Sequence, residues 1–314
     1  MKRSTIFLIL LIVLFAVFAV AQSENSSDPY KPTLDRLQAL TRQGESQWLY
    51  HGDVPHPEDP GLNDSDWGTL TVKNVSGPGG MNKNEEHWTG TRVFRRWVQI
   101  PEKINGYATQ GSRVSIDLRF GSPSGLRLTV FANGAILYRG SDDDILPMLL
   151  TENAQPGQKF LIAARVVAED DAQCEFFHSE LTIEPPHTRP NPALLRTELL
   201  SARPIINAYE NGKTERQQQL DAAIKAIDFS SLEKGDQAGF DASMKQARTK
   251  LEALKPFLQQ FNIRIVGNSH IDMAWLWPWT ETVEVVRNTF QSVLDLMREY
   301  PEFKFTMSSA RTYE

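Results

Sequence analysis

Short alternating segments between residues 48 and 183 constrain the fold more than any other feature of this sequence. They are rich in β-branched and aromatic residues, and clusters of Gly, Pro, Asn and Asp separate them. Apolar and polar residues alternate in Arg92–Val98, Val114–Leu118 and Leu126–Val130. Regular one-sided strands of this kind predict an antiparallel β-sandwich over residues 48–184.

One tight hairpin can be located within this region. Asn133-Gly134 lies between two apolar runs, Leu126–Phe131 and Ala135–Tyr138. A two-residue type I′ turn needs positive φ at both central positions, and Asn-Gly is the pair that meets this need most readily. The sequence therefore predicts that the two runs pair with each other.

The composition changes after Pro185-Pro186, and further prolines follow at Pro190 and Pro192. From Ala193 to Gln260 the apolar residues recur with a helical period, while Lys, Gln, Asp and Glu fill the other positions. We therefore predict a stiff proline linker and an amphipathic helical connector over residues 185–260.

Composition and charge exclude several classes of protein. The 314 residues are 40% hydrophobic and 23% charged, which is typical of a folded chain. The net charge of −6, without a block of Lys or Arg, gives no electrostatic basis for nucleic-acid binding. The single cysteine, Cys174, rules out an intramolecular disulfide, and its neighbours Phe176 and Phe177 predict a buried, unreactive thiol.

The N-terminus has the pattern of a secretory signal. Met1-Lys2-Arg3 is positively charged, Ile6–Val20 is apolar, and Ala19-Val20-Ala21 resembles a cleavage site. We predict a signal peptide over residues 1–21, followed by a lead-in over residues 22–47. The mature chain is then secreted or periplasmic, without stable membrane insertion. An uncleaved membrane anchor is the alternative, although it needs about 20 apolar residues.

The C-terminal region predicts a strand, a helix and a second strand. Ile263–Val266 is a β-branched run that ends at Gly267, and Phe303, Phe305 and Met307 alternate with polar residues. Between them, apolar residues keep helical spacing at Val283, Val286, Phe290, Val293 and Met297. This order implies a parallel pair with a right-handed crossover, whose ligand site lies at the carboxyl ends of the strands.

Two polar residues follow the first of these strands. If the backbone stays extended, His270 and Asp272 point to the same side, so that an imidazole nitrogen and a carboxylate oxygen can bind one ion. This pair is half of a Zn²⁺ site, and further ligands must come from elsewhere. The alternative is a turn whose polar side chains cap the local backbone.

The motif around this pair points to a known family. Ile265–Pro278, continuing through Glu281–Glu284 to Ser308–Ala310, closely resembles the opening of the catalytic domain of glycoside hydrolase family 38 α-mannosidases. The resemblance covers residues 261–314, which we identify as the incomplete start of that domain.

The resemblance implies roles for particular residues. His270 and Asp272 match two zinc ligands of the family, and Trp275 matches the aromatic residue that lines the subsite of the mannose to be cleaved. Asn268 stands where many members carry histidine, outside the shell of metal ligands. For Trp277 and Trp279 we expect packing rather than substrate contact.

A weaker resemblance covers the upstream region. Asp64–Trp67, Arg92–Arg96 and Val130–Gly134, followed by Pro156-Gly157, resemble the jelly-roll, galactose-binding-like domain that precedes the catalytic core in many glycosidases. The implied fold is multidomain, with this sandwich, the helical connector and the first βαβ unit of a βα-type catalytic domain. In such enzymes the sandwich is often structural.

The family implies zinc-dependent, retaining hydrolysis of terminal α-mannose from mannose-containing glycans. A retaining mechanism needs two carboxyl groups about 5 to 5.5 Å apart, and no such pair presents itself beside the motif. We therefore expect that the nucleophile and the acid/base residue lie outside this chain and that residues 1–314 are inactive alone.

Two other functions stay open. One is a non-catalytic carbohydrate-binding envelope protein built on the sandwich. The other is a metal-dependent carbohydrate deacetylase, against which the continuation Trp275–Pro278 argues. The sequence does not indicate an oligomeric state.

Overall fold

The computed structural model describes residues 28–72, 86–122, 125–142, 145–262, 264–272, 277–309 and 312. The predicted signal peptide, residues 1–21, lies outside these ranges. The chain divides into two compact units, one ending at Leu254 and the other beginning at Lys255. The second unit thus begins six residues before residue 261, the predicted start of the catalytic domain.

Antiparallel β-structure dominates the first unit, as the alternating segments predict. The strands are β1 (Arg42–Gly44), β2 (Gln47–His51), β3 (Gly68–Thr71), β4 (Glu86–Gln99), β5 (Lys103–Ile104), β6 (Tyr107–Ala108), β7 (Arg113–Gly121), β8 (Arg127–Ala132), β9 (Ala135–Ser141), β10 (Met148–Thr151) and β11 (Lys159–Glu184).

The long strand β11 joins two groups of strands. Its first part pairs with β4 on one side, starting at Lys159↔Gln99, and with β8 on the other. Its last part pairs with β7 and with β1. Strands β2 and β3 continue beyond β4, β9 continues beyond β8, and β10 lies beside β7.

The hydrophobic core lies between the inner faces of these two groups. Strand β7 buries every second residue, from Val114 to Phe120, as its alternating sequence predicts. These side chains belong to one cluster with inward residues of β4, β8 and both parts of β11. The Phe120 and Phe176 rings stack within it at 4.2 Å between centroids, and Cys174 is buried, as predicted.

The predicted hairpin is present. Strands β8 and β9 pair with Ala132 opposite Ala135, and Asn133 and Gly134 form the turn with φ values of 48° and 86°. Both values lie in the left-handed region that a type I′ turn requires. The Asn133 side chain also accepts a hydrogen bond of 2.8 Å from the backbone N–H of Leu161, which ties the turn to β11.

Five helices belong to this same unit within the described residues. They are α1 (Lys31–Ala39), α2 (Pro192–Ala208), α3 (Lys213–Lys225), α4 (Phe229–Glu233) and α5 (Gln237–Leu251), and a 3₁₀ turn follows at Glu252–Leu254. The predicted apolar faces are buried at Leu220 in α3 and at Met244 and Ala247 in α5. Across the described ranges, none of the helices combines the length and apolar character of a membrane span.

The linker between β11 and α2 is held in place at its C-terminal end. The Asn191 side chain caps α2 by accepting hydrogen bonds from the N–H groups of Ala193 and Leu194, and Pro192 occupies the first turn. The Tyr107 hydroxyl donates to the carbonyl of Pro190 at 2.9 Å. These contacts fix the direction in which the chain enters the helices.

The second unit contains a short helix α6 (Lys255–Leu258), then β12 (Gly267–Ser269), α7 (Trp279–Glu299) and β13 (Phe305–Met307). Strands β12 and β13 are parallel, with Gly267 opposite Phe305 and Ser269 opposite Met307. The predicted strand, helix and strand are therefore confirmed. Val293 and Met307 are buried, and Phe290 packs edge-on against Phe305 at 6.2 Å.

The predicted position of the first of these strands is wrong. The sequence places it at Ile263–Val266. Ile263 lies outside the described residues, but residues 264–266 form no strand, pairing starts at Gly267, and the Ile265 side chain is 92% exposed. The Gly267 N–H donates to the carbonyl of Lys304 at 2.8 Å, and a Cβ atom at Gly267 would come within 2.8 Å of the Phe303 ring. The close approach that glycine permits sets the register, and it overrides the β-propensity of the preceding run.

Candidate metal centre

The candidate site lies at the carboxyl ends of the two parallel strands. His270 is the first residue after β12, and Ser308 is the first residue after β13. The Ser308 hydroxyl donates to the Ser269 carbonyl at 3.2 Å, so the two strand ends are joined. Because the two strands are parallel, their carboxyl ends meet at the same edge, which is where ligands bind in open α/β sheets.

His270 and Asp272 lie together, as their spacing predicts. The His270 Nε2 atom is 2.9 Å from the Asp272 Oδ1 atom. Their side chains are 73% and 43% exposed, so neither is enclosed in apolar packing. Both polar ends are therefore accessible to an ion or a sugar.

The donor types fit zinc. One imidazole nitrogen and one carboxylate oxygen belong to the ligand set that Zn²⁺ prefers, and a zinc site usually has three or four protein ligands. Among the residues that the structure describes, no group of three or more His, Cys, Asp or Glu side chains converges. His270 and Asp272 supply donor atoms of the types that zinc prefers.

The tryptophans near this pair differ in their environments. Trp275, the predicted substrate contact, lies outside the described residues. Trp277 is half-buried, and its indole N–H donates to the hydroxyl of Thr282 in α7 at 2.9 Å, which agrees with the expected packing role. Trp279, the first residue of α7, is 48% exposed, so the packing expected for it is wrong.

Sequence reasoning missed the link made by Ser308. Its hydroxyl joins the ends of β12 and β13 and so helps to set the position of His270 relative to the second strand. The available signal was a serine at the end of each strand: Ser269 is the last residue of β12, and Ser308 directly follows β13. Asn268, which stands within β12, is exposed and pairs across the ladder with Thr306.

Comparison with known families places this segment. Residues 260–314 match the model of the glycosyl hydrolases family 38 N-terminal domain. Over this short stretch, the C-terminal part of the chain is therefore similar to the N-terminal domain of family 38 glycosyl hydrolases.

The curated relatives that the chain resembles over short stretches are α-mannosidases. An α-mannosidase of Saccharomyces cerevisiae is 42% identical over 53 residues, which are 17% of this chain and 5% of that protein. α-Mannosidase 2C1 of Homo sapiens is 44% identical over 55 residues, 18% of this chain and 5% of its own. α-Mannosidase G of Dictyostelium discoideum is 38% identical over 68 residues, 20% of this chain and 6% of its own. The chain thus matches about a twentieth of each relative.

Solved structures show a more distant likeness. A glycosyl hydrolase family 2 member from Bacteroides cellulosilyticus aligns with 47% of this chain and 21% of its own, at a TM-score of 0.33 and 21% identity. A β-glucuronidase of Bacteroides uniformis aligns with 46% and 18%, at a TM-score of 0.33 and 16% identity. Scores at this level support no assignment.

Proposed function

We propose that this chain is the exported N-terminal part of a zinc-dependent, retaining α-mannosidase that removes terminal α-mannose from glycans. The family match over residues 260–314 supports the glycosidase class. The observation that carries the proposal for the site is the 2.9 Å approach of His270 and Asp272 at the mouth of a parallel βαβ unit. Substrate, export and cofactor are all parts of the proposal.

In this proposal His270 and Asp272 hold one zinc ion. Bound zinc supplies a Lewis acid for sugar oxygens. The imidazole Nε2 and the Asp272 carboxylate fix the place where the terminal mannose docks, and their exposure leaves room for its hydroxyls. Trp275 offers an aromatic face on which the apolar face of a hexose can pack.

His270 and Asp272 supply only part of the chemistry that a retaining glycosidase needs. A retaining glycosidase uses a nucleophilic carboxylate and an acid/base carboxyl about 5 to 5.5 Å apart. Within the described ranges no further carboxylate joins His270 and Asp272. We therefore propose that residues 1–314 alone do not hydrolyse α-mannosides.

Two structural proposals accompany this function. The two-layered first unit, with β11 crossing between its layers, is a sandwich of the jelly-roll, galactose-binding-like type. The predicted signal peptide, residues 1–21, directs the chain out of the cytoplasm, into the periplasm or the medium.

A segment exchange tests the function directly. Residues 260–314, which match the family model, would replace the corresponding segment of the Saccharomyces cerevisiae α-mannosidase, and hydrolysis of an aryl α-mannoside and bound zinc would be measured. We expect the exchanged enzyme to keep zinc and activity. His270→Ala and Asp272→Asn in it should remove both, whereas Glu302→Gln, an exposed charge change outside the pair, should remove neither.

Two results would contradict the proposal. One is a folded exchanged enzyme that keeps full activity with His270→Ala. The other is measurable α-mannoside turnover by residues 1–314 alone that depends on His270.

A further inference from the structure

A loop covers part of the outer face of the sheet formed by β4, β11 and β8. On this face Val93 and Ala163 are fully buried, although neither belongs to the core between the two strand groups. The cover comes from the segment between β2 and β3, which carries the buried Trp67. A long loop thus packs where a two-layered fold normally exposes a polar face.

A buried arginine holds this loop in place. Arg95, on the outer face of β4, donates to the carbonyls of Asp59 and Leu62 at 2.7 and 3.3 Å and to the Asp64 carboxylate at 2.5 Å. Its guanidinium also lies 5.6 Å from the Trp67 ring centroid. Because one rigid cation fixes four points of the loop, the loop has a defined shape.

A cleft opens between the start of this loop and the sheet. Residues 53–58 form one wall, and Phe131 of β8 and Arg165 of β11 form the other, around a volume of about 480 Å³. Val54, Pro55 and Pro57 give the loop wall an apolar character. His56 holds a φ of 50°, a left-handed conformation that is uncommon outside glycine.

The charged groups of the cleft are paired. The Arg165 guanidinium binds the Asp53 carboxylate through Nε at 3.1 Å and through Nη2 at 2.7 Å. The His56 Nδ1 atom lies 3.3 Å from the Glu58 Oε1 atom. Two carboxylates against one permanent cation disfavour an anionic ligand, and no three metal-binding side chains converge within the described residues.

An exposed tryptophan lies on the same face as the cleft. Trp97 is 53% exposed and pairs with Leu161, while Phe131 pairs with Ala163, two residues further along β11. Leu161 and Ala163 lie on the same face of the sheet. Trp97 and Phe131, their cross-strand partners, therefore lie on that face as well. Strand spacing and rise place their Cα atoms on the order of 12 Å apart.

We propose that this cleft and the adjoining Trp97 surface form a binding site for a neutral saccharide. Aromatic rings and proline faces accept the apolar face of a pyranose, while sugar hydroxyls donate to Asp53 and Glu58 and accept from Arg165. Phe131 lies in the cleft and Trp97 beside it, so a ligand longer than one sugar ring can contact both. The site is built from residues of the first unit alone, and the proposal does not depend on the proposed catalytic function.

Ligand-observed NMR with the whole chain tests the inference. Saturation transfer would be measured to α-mannotriose and cellotriose, two neutral probes, and to glucuronic acid, an anionic one. We expect binding of at least one neutral trisaccharide. Trp97→Ala or Phe131→Ala should raise its Kd roughly 5-fold, as expected for loss of an aromatic contact. Arg165→Gln should weaken it as well.

Two variants serve as controls. Leu146→Ala removes an exposed apolar side chain elsewhere in the first unit, and Glu302→Gln changes an exposed charge of the second unit; both should leave saccharide binding unchanged. Circular dichroism would verify folding, and because Trp97 and Arg165 are partly exposed, their variants keep the test valid if Phe131→Ala does not fold. Binding of glucuronic acid only, no binding of either trisaccharide, or equal binding by the Trp97, Phe131 and Arg165 variants would overturn the proposal.

Discussion

The Tyr107 ring packs edge-on against Phe240, with ring centroids 6.0 Å apart. Tyr107 belongs to the short strand β6, and Phe240 belongs to α5, far along the chain. Arg189 from the linker lies over the same Tyr107 ring at 4.4 Å and binds the Asp241 carboxylate through Nε at 2.9 Å. Linker, strands and helices therefore form one packed body, rather than a domain followed by a loose connector.

The first prediction follows from this contact. Phe240 is fully buried and also packs on Phe229 at 5.6 Å, so Phe240→Ala should lower the free energy of unfolding by about 3 to 5 kcal/mol. Urea unfolding followed by circular dichroism would measure the loss. Because the helices and strands share this core, both should unfold together at a lower midpoint. Loss of helical signal alone, with the β-signal unchanged, would contradict the packing.

A second prediction concerns the buried charge of Arg95. Its side chain is almost completely buried, and the Asp64 carboxylate is its acidic partner. Asp64→Ala should therefore destabilise the first unit by about 3 kcal/mol, because an uncompensated charge is left inside. Asp66→Ala, which removes an exposed carboxylate two residues away, should change stability by less than about 0.5 kcal/mol. Equal effects of the two substitutions in thermal unfolding would count against the ion pair.

A third prediction concerns alkaline pH. Burial raises the pKa of Tyr30 to about 12, and a hydrogen bond to the Asp221 carboxylate acts in the same direction. The raised pKa means that the folded chain holds this proton more tightly, so the stabilisation is complete below the unfolded pKa of about 10 and is lost as the pH rises through the folded pKa.

Tyr30→Phe provides the comparison for this effect. The stability advantage of the natural chain over the variant should be present at pH 9 and should disappear near pH 12. Urea unfolding of both proteins at several pH values measures the difference, and the variant serves as the control for the titration of all other groups. A difference that does not change with pH would contradict the assigned pKa.

The strand pattern and the hairpin were predictable because they depend on local chemistry. Alternation from Val114 to Phe120 and the Asn133-Gly134 turn each specify their geometry without help from distant residues. The spacing of His270 and Asp272 belongs to the same group, since an extended backbone suffices to bring their side chains together.

Features that depend on distant contacts could not be predicted. The start of β12 is decided by the approach of Phe303 to Gly267, and no local pattern reports it. The attachment of α5 to Tyr107 and the clamp of Arg95 on the loop before β3 likewise join residues far apart in sequence. The alternating pattern also predicted the two faces of the sheet correctly, but it did not indicate that the loop before β3 covers the outer face near Ala163.

A fourth prediction concerns metal binding by the chain itself. Since His270 and Asp272 supply two ligands, the chain should bind Zn²⁺ weakly, in competition with a zinc-sensitive dye, and a chelator should remove the ion readily. His270→Ala should abolish this binding, whereas His187→Ala, which removes an exposed imidazole from the linker, should not. Equal loss in both variants would indicate non-specific binding by surface histidines.

A fifth prediction concerns the stability of the second unit. Strands β12 and β13 have three residues each, and α7 leaves apolar side chains such as Leu294 and Leu296 exposed. A two-stranded pair with little buried apolar area opens easily, so its amides should exchange with solvent much faster than those in the middle of β4 and β11. Hydrogen–deuterium exchange with mass spectrometry compares the peptides directly. Protection at Gly267–Ser269 as strong as at Phe160–Val166 would mean that contacts beyond those described stabilise the second unit.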